Sequence, residues 1–270
     1  MQCAKGPPGK LNWVGSVKIL YIAGYGRSGS SILARLLAQQ DGIVSLGEFH
    51  MAPGKFREDA PCSCGEPLSQ CKFWSGHKRP ATTSTLLDDL ESRETIRWAI
   101  DSSKTAYSQV LEPLRYLAGK RSVRLIQLVR HPEHVLSSAR KGRNKDLERG
   151  VVRTRRFETA RTVIGWVSAN AVASVYRIFM GSAAMRIGYE DLLSDPAAVL
   201  DCIERRLGID LKGAKEVIEQ DLPLTAGHEI GGNRTLRTGP SKFRRIAERP
   251  SRERGKGWRL LALVSRPIGG

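Results

Sequence analysis

Gly24-Tyr25-Gly26-Arg27-Ser28-Gly29-Ser30-Ser31 gathers glycines, hydroxyls and one cation into a single short segment between the apolar run Val17–Ala23 and the helical stretch Ile32–Gln39. The chemistry of such a segment is anion binding. Glycines allow a tight turn and close backbone approach, and the free N–H groups at the opening of a helix face a negative ligand. Loops that hold nucleoside triphosphates place Lys directly after the last glycine, where it reaches the β- and γ-phosphates. Here Gly24-x4-Gly29 is followed by Ser30, and the basic residue has moved back to Arg27. That displacement suits a 5′-phosphate group other than the usual triphosphate; the alternative is an ordinary glycine-rich turn.

A second cation-and-hydroxyl pair lies in Leu128-Val129-Arg130-His131-Pro132-Glu133-His134-Val135-Leu136-Ser137-Ser138. Arg130 ends an apolar strand, Pro132 opens a helix and Ser138 lies further along it. An arginine at the carboxyl end of a parallel strand projects into the crevice where such sheets bind ligands, and its guanidinium can grip a phosphate bidentately. Taken alone, Arg130 fits a surface ion-pair partner equally well, and Ser138 a helix-surface residue.

These residues need elements to hold them. Apolar runs of strand type recur at Val17–Ala23, Ile43–Leu46, Ile96–Ile100, Leu125–Val129 and Met185–Gly188, with helical patterns in most of the intervals. Helices are expected over Ser30–Gln39, Pro132–Lys141, Phe157–Met180 and Pro196–Leu207; Asp195, Pro196 and Gly208 mark the cap, first turn and stop of the last. Strands alternating with helices predict an α/β fold, a three-layer sandwich with a central parallel sheet. Residues 49–84 and 227–256 read as long loops, and residues 1–15 as a flexible N-terminus, within one domain spanning 1–270.

Lys+Arg 44 against Asp+Glu 27 gives a net charge of +17, with the excess concentrated in Arg140–Arg161 and Arg234–Arg259. Such a surface attracts polyanions without choosing among them. A nucleic-acid module is disfavoured, because aromatic interleaving and recognised binding motifs are missing. The N-terminus has no apolar core of a signal peptide, and no apolar run approaches the roughly 18 residues of a membrane span. Cysteines at 3, 62, 64, 71 and 202 are odd in number without a secretory context, which argues against a disulfide framework. A soluble protein in the reducing cytoplasm is the expectation.

The first loop, the Arg130 segment and Tyr189-Glu190-Asp191-Leu192-Leu193-Ser194-Asp195-Pro196 together resemble the sulfotransferase family, whose members move a sulfonyl group from 3′-phosphoadenosine 5′-phosphosulfate (PAPS) to a hydroxyl or amine. The resemblance extends to Asp101-Ser102-Ser103-Lys104 and to a late segment, His228 to Arg237, and covers roughly residues 17 to 240 in the expected order. It implies a P-loop NTPase-like sulfotransferase fold. It also implies that Gly26, Arg27, Ser28, Gly29, Ser30 and Ser31 bind the 5′-phosphosulfate, and that Arg130 and Ser138 hold the 3′-phosphate. Asn233, Arg234 and Arg237 would close over that phosphate, and Tyr189 is a candidate to stack on the adenine unless it is simply core. Trp166 is read the same way, with core favoured, and Glu190 and Asp191 are expected to pair with arginines.

For the chemical step the resemblance implies in-line displacement with no metal required. Charge builds on the leaving 3′,5′-bisphosphate, and Arg27 can stabilise it. Glu48, just beyond the second strand, is the chosen base, with His50 as competitor; a mere ion pair of Glu48 with Arg27 or another cation is the bland alternative. Lys104 is a further contact to the transferring group, or part of a solvated turn capped by Asp101. The acceptor is unidentified and could be a glycan, lipid, small molecule or protein. The enzymatic alternative is a P-loop kinase or nucleoside triphosphatase, for which Asp101 is the candidate magnesium ligand and the lysine is missing at Ser30. The interval from Glu48 to Ile100 is short for the family, implying a small or open acceptor pocket, and the C-terminal stretch 249–270 is brief and basic.

Cys62-Ser-Cys64-Gly-Glu-Pro-Leu-Ser-Gln-Cys71-Lys-Phe-Trp74 supplies three soft ligands, and His50 or His77 is the candidate fourth for zinc. The spacing fits no common zinc module. Some microbial members of the family carry a similar segment near the acceptor pocket, which favours a lid or packing unit over a metal.

Overall fold

The computed structural model describes residues 17–51, 59–75, 83–92, 95–106, 109–148, 158–225, 227–230 and 240–246. Five strands, β1 (Lys18–Ala23), β2 (Ile43–Ser45), β3 (Trp98–Asp101), β4 (Val123–Val129) and β5 (Ala184–Gly188), form one sheet in the order β2-β3-β1-β4-β5. Every pairing is parallel: Leu20 of β1 lies opposite Ile100 of β3, and Tyr21 opposite Leu125 of β4. All five strands fall where the apolar runs predict them.

Side chains on β1 alternate between two cores because successive residues of a strand point to opposite faces. Leu20 and Ile22 pack with Leu33, Leu37, Ile126, Leu128 and Ile203 on one side. Ile19, Tyr21 and Ala23 pack with Phe49, Leu90, Leu125 and Ala173 on the other. From Ile19 onward β1 is buried on both faces, which is why it reads as a continuous apolar run after Lys18.

Eight α-helices lie among the described residues. α1 (Ser30–Leu37) follows β1, α2 (Thr83–Glu91) precedes β3, and α3 (Glu112–Ala118) precedes β4. α4 (Pro132–Glu148) extends past the expected Lys141, and α5 is Glu158–Met180. After β5 come α6 (Tyr189–Ser194), α7 (Pro196–Leu207) and α8 (Lys212–Glu219). α7 begins and ends where its sequence signals place it: Asp195 accepts from the Ala198 amide at 3.1 Å, and Gly208 ends the helix at φ 67°.

Two expectations change. The span Thr159–Ala183 is long and apolar enough, by length and composition, to cross a membrane. Polar residues interrupt it, so it shows no continuous apolar run, and in the fold its Trp166, Ala169, Ala173 and Tyr176 are buried while Ile164, Val175, Ile178 and Phe179 are exposed. Cys202, buried on α7, is disulfide-bonded, so the thiols are not all free.

The topology positions the site. From β1 the chain runs to β2 on one side, and after β3 it crosses to β4 on the other side of β1. The loops after β1 and β4 therefore emerge side by side at the carboxyl edge of the sheet, where strand order reverses and such sheets bind ligands.

Candidate active site

The loop after β1 is shaped by contacts that exclude side chains. A Cβ on Gly24, at φ 134°, would stand 2.5 Å from the Leu128 carbonyl oxygen, and one on Gly29, at φ 92°, would stand 2.1 Å from the Tyr189 ring. Arg27 itself takes a left-handed φ of 69°, a conformation that costs a non-glycine residue about 1–2 kcal/mol. The Gly24 amide donates to Thr105 Oγ1 at 3.2 Å, tying the loop to the segment after β3. Gly29 caps α1 with its backbone, accepting from Ile32 and Leu33, and the first-turn amides of Ser30 and Ser31 precede any carbonyl the helix can offer them. Ser28 Oγ is buried with no hydrogen-bond partner. An orphaned hydroxyl beside a helix N-terminus fits a phosphate oxygen.

Arg130 joins this loop. Its Nη1 donates to the Arg27 carbonyl at 3.0 Å, its guanidinium lies 4.5 Å from the Tyr189 ring centroid, and its Nε is buried without a partner. The Arg130 carbonyl accepts from Trp166 Nε1 at 3.0 Å, so the indole that reads as core also fixes the Arg130 backbone. Tyr189 fills the space between Gly29 and Arg130. Ser138 is half-buried on α4. Glu190 departs from the expected arginine pairing: its Oε1 accepts from the His131 amide at 3.1 Å and meets His134 Nδ1 at 3.0 Å, bracing the turn into α4. Asn233, Arg234 and Arg237 lie outside the described residues.

Glu48 and Lys104 meet as an ion pair beside the first loop. The bland expectation of a basic partner for Glu48 is thereby met by Lys104, not Arg27. Lys104 adopts φ 77°, and its carbonyl accepts from the Tyr21 hydroxyl. His50, two residues after Glu48, turns its Nε2 to Gln109 at 2.8 Å.

Asp101 holds these pieces in register. Its Oδ1 accepts from the amides of Phe49 at 3.3 Å and Ser103 at 2.8 Å and from the Ser103 hydroxyl, while Oδ2 accepts from Tyr116 Oη at 2.6 Å. Complete burial pushes its carboxyl up to about 6, against the downward pull of those hydrogen bonds. Asp101 is not left open for the magnesium role of a kinase: its oxygens are engaged by protein donors, so it clasps the Glu48 turn to the Lys104 turn.

Several residues that sequence reasoning passed over lie next to the site. Glu229, almost fully buried, pairs with Arg35 of α1 at 3.2 Å and accepts from Ser45 Oγ of β2 at 2.8 Å. Burial raises its carboxyl above the usual range, and Arg35 opposes that shift. The neighbouring His228 approaches Cys62, Cys64 and Cys71, their four ligand atoms all lying within 4.8 Å of one another. The fourth member of that cluster is thus His228 and not His50, while His77 lies outside the described residues. A lone histidine far along the chain carries no spacing signal; only the folded loop brings it to the cysteines.

Residues 20–213 match the sulfotransferase family model, and the chain belongs to that family. Its fold is that of solved sulfotransferases. It is similar to the sulfotransferase domain from the curacin biosynthetic pathway, at 21% identity and a TM-score of 0.56 over 95% of this chain and 100% of that one. It is also similar to mouse sulfotransferase SULT7A1 complexed with 3′-phosphoadenosine 5′-phosphate (PAP), at 15% identity and a TM-score of 0.50 over 82% of this chain and 74% of that one. No curated protein sequence matches it significantly.

A carboxyl at about 6 in the fold and about 4 when unfolded favours the folded state most below pH 4, and that advantage is lost as pH rises through 6. Asp101→Asn removes the titration. Between pH 4 and 8 the stability of the wild type, followed by its melting temperature, is expected to fall relative to that of Asp101→Asn by on the order of 2 kcal/mol. Parallel profiles in thermal melts would contradict the placement of this carboxyl.

Proposed function

We propose that this protein transfers a sulfonyl group from PAPS to a hydroxyl or amine of an acceptor by in-line displacement. The observation that carries the reading is the hydrogen bond from Arg130 Nη1 to the Arg27 carbonyl, which ties the loops after β1 and β4 together. Two cations and two buried unpartnered polar atoms, Ser28 Oγ and Arg130 Nε, are grouped there. A donor with phosphates at both its 3′ and 5′ positions suits two linked cradles better than a linear triphosphate suits them.

In this account the amides of Ser28–Ser31 with Gly26 and Gly29 hold the 5′-phosphate, and Arg130 with Ser138 takes the 3′-phosphate, with Asn233, Arg234 and Arg237 of the late segment closing over it. As the acceptor oxygen bonds to sulfur, its proton passes to Glu48, and the bond from sulfur to the bridging phosphate oxygen breaks. The electron pair leaves with PAP, where Arg27 offsets the charge. Lys104, the ion-pair partner of Glu48, turns in this reading to a sulfonyl oxygen and releases the carboxylate for its task. Nothing favours a kinase: Ser30 stands where the lysine belongs, and the Asp101 carboxylate is committed to four donors.

Glu48→Gln is expected to lower the rate of PAP release about 10²–10⁴-fold, assayed with a panel of phenol, glycan, lipid-headgroup and tyrosine-peptide acceptors, while PAP affinity by calorimetry stays within about twofold. Undiminished turnover in Glu48→Gln together with loss in His50→Gln would transfer the base role to His50. Arg130→Ala should weaken PAP binding by roughly 10–100-fold, the value of a charge-assisted, bidentate contact; unchanged affinity would remove the 3′-phosphate site from Arg130.

A further inference from the structure

We propose that Cys62, Cys64, Cys71 and His228 form a structural zinc site that locks the 60–74 segment to the start of the late loop, whatever reaction the neighbouring site performs. The four ligand atoms lie within 4.8 Å of one another. Four of their six separations lie close to those of a tetrahedron around a zinc ion. Zn–S bonds near 2.3 Å and Zn–N bonds near 2.05 Å at tetrahedral angles require S···S edges of about 3.8 Å and S···N edges of about 3.5 Å. The Cys64–Cys71 and Cys71–Cys62 sulfurs are 3.7 and 3.6 Å apart, and His228 Nδ1 stands 3.8 Å from Cys62 Sγ and 3.2 Å from Cys71 Sγ. Disulfide bonding would bring two of the sulfurs to about 2.05 Å, and all three cysteines are free.

The backbone around the sulfurs is fixed independently of any ion. Cys62 opens a tight turn in which the Gly65 amide donates to the Cys62 carbonyl at 3.1 Å and the Cys62 amide to the Glu66 carbonyl at 2.9 Å, with Gly65 at φ 102°. Cys71 is held by its amide to the Pro67 carbonyl at 2.8 Å. The His228 ring stacks flat on Phe73, centroids 4.9 Å apart, and its carbonyl accepts from Trp74 Nε1 at 2.8 Å. Three thiolates and an imidazole are a soft, closed donor set that selects zinc among common divalent ions, and four protein ligands leave no position for substrate. The site is therefore structural.

Its position gives it work. The link spans 157 residues from Cys71 to His228, so it closes a long loop. Glu229 follows at once and pairs with Arg35, and Ile230 donates to the Leu46 carbonyl at 3.1 Å, two residues before Glu48. Ser63 adds a direct tie, donating to the Gly227 carbonyl at 2.5 Å and accepting from the Glu229 amide at 2.8 Å. The metal would anchor the late loop on the turn that carries Glu48.

The test is metal analysis of the full chain purified under reducing conditions without chelator, combined with cobalt exchange. About one zinc per chain is expected, and the cobalt form should show the visible ligand-field bands and near-ultraviolet thiolate charge transfer of a tetrahedral thiolate-rich site. Cys64→Ser and His228→Gln should each lose zinc to a competing chelator at least about tenfold more readily, whereas His77→Gln should retain it as the wild type does. The cobalt spectrum needs no variant, so a variant that fails to fold leaves the test intact. A wild type without stoichiometric zinc and without the cobalt bands, a disulfide among these three cysteines, or zinc lost from His77→Gln and kept by His228→Gln would overturn the proposal.

Discussion

Asp101 places a carboxylate under the carboxyl edge of the sheet, and the geometry of the site follows from how that carboxylate is satisfied. A buried charge or carboxyl is costly unless hydrogen-bonded, and Asp101 is relieved by Phe49, Ser103 and Tyr116. Each donor belongs to a different piece of chain: the turn after β2, the turn after β3, and α3. Satisfying one group therefore fixes the relative positions of Glu48 and Lys104, which sit on the first two. Glu229 repeats the device on the far side of the same edge, where its carboxylate joins the late loop to α1 and β2 through Arg35 and Ser45. Breaking a buried pair of this kind costs roughly 3–5 kcal/mol, so the late loop is not a loose flap at its base.

The two cations nearest the proposed transfer, Arg27 and Lys104, both occupy left-handed backbone conformations. Neither would choose that conformation in an isolated turn, so surrounding contacts impose it: Arg130 on the Arg27 carbonyl, Tyr21 on the Lys104 carbonyl. Strain held in this way fixes the backbone from which each cation projects.

Much of this was legible in the sequence, for physical reasons that differ by element. Strand β1 is buried on both faces and so announces itself as an apolar run, and α7 carries its own cap and stop. Arg130 and the 24–31 loop stood out because anion binding at a strand end would need particular residue types at fixed offsets, and the fold brings the two together. What sequence could not carry was closure in three dimensions. Asp101 offered the same letters as a magnesium ligand, and only the converging donors distinguish a clasp from a metal site. Glu190 sits in an acidic motif that suggested arginine partners, yet the turn into α4 brings it the His131 amide and His134. The cysteine segment showed three ligands, and the fourth was hidden 157 residues away in a loop whose course the fold alone decides.

The central claim is that the loops after β1 and β4 grip phosphates at two separate positions of one nucleotide. Calorimetric titration of the wild type with PAP and with ADP tests it most directly, because both carry two phosphates and differ in where the second is attached. The account predicts that PAP binds at least about tenfold more tightly than ADP, a difference of about 1.4 kcal/mol, with or without magnesium. Equal affinities, or tighter binding of ADP or of ATP with magnesium, would contradict it.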